Sequence, residues 1–451
     1  MKRYVFTRDI LSLGRKFSDS GHKLYIVGGA VRDFLLGREN HDYDFTTDAT
    51  PEEVTALFPS STIPTGIKHG TVTVLYRKEA YEITTFRTEG AYSDGRHPDS
   101  VSFVRDLAED LSRRDFTVNA FAASTEDGTI IDLHGGLEDL KKKTIRAIGE
   151  PKDRFDEDAL RMLRAVRFAA KLGFEIEEKT FEAVKKDAGR ITLISKERIR
   201  EEFFRLIDSP EPARGLELLR TSGLLKYILP ELEAAYGFEQ LGLHSDDVYH
   251  HTLKALEEAK RLGYPLSVKL AVLFHDLGKV EARRGDRESG YTFYGHENIS
   301  EKIAERTLKT LKCSTEGIRK TCSLVRNHMF AYTPEWSDSA VRRFIIRVGL
   351  NDIPELFDVR RSDALSMDPK ADFTLLNSFE QRIGTEVEKQ SAMTLRDLAV
   401  NGNDLKNENI AVGKKLGMVL NYLLDEVIED PSLNERDKLI NLARIHASKL
   451  A

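Results

Sequence analysis

The sequence predicts an α+β fold, a head with a mixed β-sheet followed by an all-α remainder, on three observations. The first ~140 residues mix short β-rich runs with short helical stretches. Beyond Arg154 apolar residues recur near a 3.6-residue period, as in Leu160, Leu163, Val166, Phe168 and Ala170. No low-complexity or Gly/Pro/Ser-rich linker separates the two regions. In order, Lys23–Val27 reads as a strand that ends at Gly28-Gly29, where a helix opens. Asp42-Tyr43-Asp44-Phe45 reads as a second strand. Gly70–Tyr76 and Ala80–Phe86 read as a hairpin around a turn containing Lys78. Asp158–Lys171 reads as the first long helix, and helical signals continue to the end.

At 451 residues the chain exceeds one compact core, and two to four domains are expected. No apolar run approaches the ~20 residues needed to span a bilayer, so no membrane association is expected. The N-terminus is interrupted early by Arg8 and Asp9 and carries no secretory apolar segment. Two cysteines, Cys313 and Cys322, exclude a disulfide framework. Together these features fit a reducing cytoplasm. The net charge is −6, but residues 141–171 hold ten Lys/Arg against five Asp/Glu. A basic strip on a mildly acidic protein suits a phosphate-bearing ligand.

Three clusters in the head carry chemistry. Gly28-Gly29-Ala30-Val31-Arg32-Asp33 follows a strand, and paired glycines let backbone N–H groups approach a phosphate. In Asp42-Tyr43-Asp44, carboxylates at i and i+2 of a strand share one face. Such a pair can hold two Mg²⁺ ions, which prefer oxygen ligands. Glu82, on a neighbouring predicted strand, is a candidate third carboxylate. Arg113-Arg114-Asp115-Phe116-Thr117-Val118-Asn119 groups cations, a carboxylate and an amide that can grip a ribose and a triphosphate.

Taken in order, Gly-Gly-x-Val-Arg-Asp, Asp-x-Asp and Arg-Arg-Asp-Phe-Thr-x-Asn resemble the class II tRNA nucleotidyltransferase and bacterial poly(A) polymerase family. Glu157-Asp158-Ala159-Leu160-Arg161 and Ser195-Lys196-Glu197-Arg198-Ile199 with Glu201-Glu202-Phe203 extend the resemblance over about the first 210 residues. It implies a polymerase-β-like head at 1–150, a helical neck for base recognition at 151–215, a helical body at 216–370 and a tRNA-binding tail at 371–451. It implies tRNA, ATP and CTP as partners and Mg²⁺ as cofactor, with Asp42 and Asp44 as the catalytic metal ligands. Gly28, Gly29, Arg32, Arg114, Asp115, Asn119 and Arg164 are implied in nucleotide binding. Asp158 and Arg161, three apart on one predicted helix, are implied as an amino-acid template for the incoming base. A carboxylate accepts from the exocyclic amino group that C and A share, and Arg donates to ring acceptors.

Thr65–Val72 resembles the tRNA-specific branch rather than poly(A) polymerases. Phe86–Pro98 corresponds to the family's flexible loop, which favours complete CCA addition or A-only addition over CC-only addition. Further tRNA contacts are expected from Arg342, Arg343, Arg360 and Arg361 on the basis of charge.

Downstream lie His250-His251, His275-Asp276-Leu277-Gly278-Lys279, Gly295-His296-Glu297, His328 and Asp363. This order resembles the HD metal-dependent phosphohydrolases. The resemblance implies His251, His275, Asp276 and Asp363 as ligands of a second divalent metal (Ni, Mn or Co), with His250 competing for the first position.

Overall fold

The computed structural model describes residues 3–40, 42–67, 70–89, 101–240, 246–389 and 394–450. The described chain forms two compact units. One comprises residues 1–233 with 310–312, the other 234–309 with 313–451.

The first unit is built on a seven-stranded mixed sheet. Its strands are β1 (Leu24–Val27), β2 (Asp44–Thr47), β3 (Thr62–Gly66), β4 (Thr71–Tyr76) and β5 (Glu79–Thr85), then β6 (Arg87–Glu89) and β7 (Val101–Phe103), which pair separately, and β8 (Phe121–Ser124) and β9 (Ile130–Asp132). The sheet order is β3-β4-β5-β2-β1-β8-β9. All its pairs are antiparallel except β2 with β5. β1 is buried along its whole length because alternate residues feed two cores. Leu24 and Ile26 join the large cluster with Phe45, Val72 and Phe121, while Tyr25 and Val27 pack with Phe86, Leu111 and Ala122.

The predicted hairpin is β4–β5. Its two turn residues, Arg77 and Lys78, both take positive φ (51° and 74°). Two such residues make the turn whose twist matches the flanking strands. The helix Leu160–Leu172 places Ala165, Phe168, Ala169 and Leu172 in the head's own core. Its apolar period therefore docks it on the sheet, and its charged side is left facing the cavity described below.

Among the described residues the second unit is helical apart from the short ribbon Arg284–Asp286/Gly290–Thr292. At its centre runs Leu266–Phe274, in which every residue from Val268 onward is buried. Val248–Arg261 and Ile353–Met367 flank it. A separate apolar cluster from Leu398 to Ala447 closes the C-terminal region. Among the described residues no helix is long and apolar enough to cross a membrane.

Of the four arginines expected to meet tRNA phosphates, Arg342 is a correction. It is only 4% exposed, pairs with Glu386 (2.8 Å) and donates to the Ile428 carbonyl (2.7 Å). An arginine committed to buried acceptors holds the helices together and cannot reach a phosphate. Arg343 pairs with Glu429, Arg360 with Asp363, and Arg361 with Asp358 and Glu380.

Candidate active site

Strand direction brings the first two motifs together. β1 and β2 are antiparallel neighbours with Val27 opposite Asp44. Gly28-Gly29 at the end of β1 therefore meets the acidic pair at the start of β2. Gly28 is needed on two counts: its φ is +69°, and a Cβ there would lie 3.2 Å from Arg114 Nη1. The parallel pairing of β2 and β5 sets Glu82 opposite Asp44. Glu82, Asp42 and Asp44 line one depression, and the two aspartates also line the adjoining main cavity.

Only Asp44 belongs to the strand. Asp42 lies before it, its N–H bonded to the Asn40 side chain (2.7 Å). That bond holds the backbone off the ladder, so the shared face comes from a turn and a strand start rather than from strand alternation. Partial burial, then the charge of Asp42, pushes the Asp44 carboxyl up. Arg114 opposes this and Glu82 adds to it. A divalent cation beside the raised Asp44 carboxyl would favour its charged form.

The main cavity measures about 670 Å³ and is walled chiefly by charged groups. Arg32, Asp33, Arg114, Asp115 and Asn119 come from the head, and Asp158, Arg161, Arg164, Arg167, Lys171, Arg198 and Arg205 from the helices that follow. The wall is cross-braced. Arg32, 2% exposed, donates through Nε and Nη2 to Asp33 (2.9 and 3.0 Å) and through Nη1 to Asn119 Oδ1 (2.5 Å). Asn119 in turn donates to Asp115 Oδ1 (3.2 Å), whose other oxygen accepts from Arg164 Nε (2.8 Å). Burial alone would raise the Asp115 carboxyl, but Arg164 overrides it and holds it at about 2. Burial also lowers Arg114, against the pull of Asp110.

Asp158 departs from expectation. It is not on the helix with Arg161: its backbone is extended (φ −146°, ψ 104°), and the chain breaks there between the helices Pro151–Glu157 and Leu160–Leu172. Asp158 Oδ1 accepts the Leu160 N–H (3.1 Å), meeting an orphan donor of the new helix. The i,i+3 pair is absent. Asp158 pairs with Arg198 (2.6 Å), while Arg161 pairs with Glu157 (2.5 Å) and donates to the Arg113 carbonyl (2.8 Å). Both still face the same cavity, on separate and separately anchored elements.

In the second unit, His251, His275 and Asp363 bring ligand atoms within 4.8 Å of one another, and so do Asp276, His296 and His328. All six are buried. His250 instead points away and bonds Asp247 (2.8 Å), leaving His251 in the cluster.

Three family models match the chain. Residues 24–146 match "Poly A polymerase head domain", 173–236 match "Probable RNA and SrmB- binding site of polymerase A", and 291–443 match tRNA nucleotidyltransferase domain 2. The CCA-adding enzyme of Pediococcus pentosaceus is 46% identical over 254 residues, which cover 56% of this chain and 62% of the relative. That of Lactococcus lactis subsp. lactis is 55% identical over 221 residues, covering 48% and 55%. The chain thus spans about half the length of the curated relatives it matches. The crystal structure of the Bacillus stearothermophilus CCA-adding enzyme in complex with CTP is 30% identical with a TM-score of 0.72, and the match covers 98% of each chain.

The chain belongs to the CCA-adding enzyme family. A Thermotoga maritima CCA-adding enzyme complexed with tRNA, 19% identical with a TM-score of 0.55, shares the fold. Within this CCA-adding-family cleft, Gly28, Gly29, Arg32, Asp42, Asp44, Arg114, Asp115, Asn119, Asp158, Arg161 and Arg164 line the main cavity, while Glu82 lines only the adjoining depression. Sequence reasoning names Arg167 and Lys171 only as part of the basic strip 141–171 and Arg198 and Glu202 only within the Ser195–Phe203 resemblance, and it passes over Arg205. The signal was present as charged stripes: 161, 164, 168-flanking 167 and 171 along one helix, and 198, 202 and 205 along Lys196–Ile207. The loop equivalent of Phe86–Pro98 falls largely in residues 90–100, outside the described residues.

Proposed function

We propose that this chain completes the 3′ end of tRNA, adding C, C and A from CTP and ATP without a nucleic-acid template. The observation that carries the reading is one cavity holding the paired carboxylates of Asp42 and Asp44 together with Asp158 and Arg161. The first pair serves phosphoryl transfer and the second reads a base.

The oxygen-only donors at Asp42 and Asp44 fit Mg²⁺, which when bound supplies charge neutralisation and lowers the pKa of the attacking hydroxyl. The chain's own groups do the rest. Gly28 and Gly29 bring backbone close to the triphosphate, and Arg114 and Arg164 neutralise it. Arg32 acts by bracing Asn119, which orients the sugar. Asp158 accepts from the exocyclic amine of C or A, and Arg161 donates to a ring acceptor. Arg198 and Glu157 fix those two side chains. A rigid pair rejects U and G by leaving polar groups unpaired. The 3′-hydroxyl oxygen bonds to the α-phosphorus as pyrophosphate departs.

The domain plan follows: head 1–150, neck 151–215, body 216–370 and a tRNA-binding tail 371–451, working in the cytoplasm. Poly(A) polymerase is disfavoured by the Thr65–Val72 segment, and A-only addition is the main competitor. Three tRNA transcripts, ending before CCA, after C and after CC, are incubated with Mg²⁺ and labelled CTP or ATP. Stepwise growth of the shortest by C, C and A is expected. Extension of the CC-ended transcript alone makes this the A-adding half of a pair, and no extension of any overturns the reading.

The second cluster supports a further activity. Buried imidazole and carboxylate donors from His251, His275, Asp276 and Asp363 suit a transition-metal phosphohydrolase centre using Ni, Mn or Co.

A further inference from the structure

An unbroken chain of hydrogen bonds crosses the first unit and ends at Asp42. It starts on the helix Leu160–Leu172, which carries Arg161. There Arg164 Nε donates to Asp115 Oδ2 (2.8 Å), and Asn119 Nδ2 donates to Asp115 Oδ1 (3.2 Å). Arg32 Nη1 donates to Asn119 Oδ1 (2.5 Å), and its Nε and Nη2 donate to the two oxygens of Asp33 (2.9 and 3.0 Å). Asn40 Nδ2 donates to Asp33 Oδ2 (3.1 Å), and Asn40 Oδ1 accepts the Asp42 N–H (2.7 Å).

Chemistry dictates the direction of every link. Arginine only donates, and an ionised carboxylate only accepts. Asn119 stands between one of each, so it turns its oxygen to Arg32 and its amine to Asp115. Asn40 meets the same demand. Asp33 only accepts and a backbone N–H only donates, so a side chain joining them needs both groups, which an amide has. Arg32 is 2% exposed and Asp33 8% exposed, so this pair is a rigid anchor. Asn40, half-buried beside it, ties the segment before β2 to that anchor.

The residue at the end of the tie gives it its meaning. Asp44 is set by strand register, opposite Val27 and Glu82. Asp42 lies before the strand and has no such register. Among the described residues no hydrogen bond or ion pair reaches its carboxylate, so the aim of that side chain depends on where its backbone is held. We infer that Asn40 is a positioning residue for the metal site, seating Asp42 against the Arg32–Asp33 pair so that one network sets both the metal ligand and the triphosphate wall. The inference rests on the nucleotidyltransferase reading above and deepens it by adding a residue that touches neither metal nor nucleotide.

The test reads binding, not turnover. Labelled CTP is dialysed to equilibrium against the full chain without tRNA, in EDTA and in Ca²⁺, an ion that takes oxygen ligands. Affinity should be higher in Ca²⁺, and Asp42→Ala should abolish that gain. Asn40→Leu, similar in size but without either polar group, should reduce the gain about tenfold or more, the usual cost of losing a partner that orients a metal ligand. Its CTP affinity in EDTA should equal that of the unaltered chain. Asp33→Asn turns a donor toward the Asn40 amine, and Asp33→Asn/Asn40→Leu should lose no more than Asp33→Asn alone, because both changes cut one link. A full Ca²⁺-linked gain in Asn40→Leu overturns the inference. So does an equal loss in EDTA and Ca²⁺, which marks a general loosening of the cavity, and losses that multiply in the double variant overturn the tie to Asp33. No gain in the unaltered chain, or a gain that persists in Asp42→Ala, instead overturns the metal role of Asp42 and the inference with it. Asn40→Leu changes only a half-buried residue outside the strands and helices, so it decides the matter even where Asp33→Asn fails to fold.

Discussion

Glu202 is the residue whose loss should separate bracing from catalysis most clearly. It is 4% exposed, and its carboxylate accepts from Arg167 Nε (2.5 Å) and Arg164 Nη1 (3.3 Å). Glu202→Ala leaves Arg167, itself 5% exposed, without that carboxylate. Removing one member of a buried pair costs about 3–5 kcal/mol. Arg167 stacks 3.7 Å over the Phe168 ring, an attraction of about 1 kcal/mol that survives, so the low end near 3 kcal/mol is expected. Arg164 keeps Asp115 at 2.7 Å, so the cavity wall loosens rather than collapses. KM for CTP should then rise about tenfold, equivalent to ~1.4 kcal/mol, with kcat little changed. Hydrogen exchange of peptides from 160–172 and 196–207 across a urea series measures the stability loss, and nucleotide titration measures KM. Glu202→Gln, which keeps an acceptor, should cost about half as much. A loss below about 1 kcal/mol in Glu202→Ala would refute the claim that this carboxylate neutralises Arg167.

Other expectations follow from the same geometry. Asp42→Ala should cut nucleotide incorporation by about a thousandfold or more, the several kcal/mol of metal-assisted stabilisation, with tRNA retention on filters unchanged; parallel loss of tRNA binding would point to a misfolded head. Asp115 titrates at about 2 when folded against 3.8 ordinarily. Because the folded value is the lower one, its contribution of about 2 kcal/mol is complete above pH 4 and is lost as pH falls toward 2. Asp115→Asn should remove that acid limb from a stability profile, and an unaltered limb would discount the Arg164 pairing. A Cβ at Gly278 would sit 2.3 Å from the His296 carbonyl. Gly278→Ala should therefore push the helix His296–Thr310 outward and weaken metal retention in the second unit, measured by dialysis, while CCA addition persists.

Much of this was legible in the sequence because the chemistry is local. Gly28-Gly29, Asp42-Tyr43-Asp44 and Arg113–Asn119 are short motifs whose spacing survives folding, and the Lys78 hairpin is fixed by its own turn. What failed was inference about a side chain's partners. Periodicity carried the predicted helix through Asp158, but the orphan N–H of Leu160 made that residue a cap. Charge marked Arg342 as a phosphate contact, yet Glu386 and two carbonyls far along the chain bury it. Both outcomes depend on long-range contacts that no local pattern encodes. Asp363 is far in sequence from the other ligands, and only the packing of Ile353–Met367 on Val248–Arg261 brings it to 3.2 Å from His251.

The bonds that tie His275, His296 and His328 to carbonyls three residues behind them bear on how the candidate metal centre of the second unit can decay over time. Each ring is aimed by its own short segment, not by the ring beside it. Losing one histidine leaves the others in place, so affinity for ions falls in steps while the helices stay packed. A lineage that no longer needs the metal can therefore shed the ligands one at a time and keep the scaffold for another use.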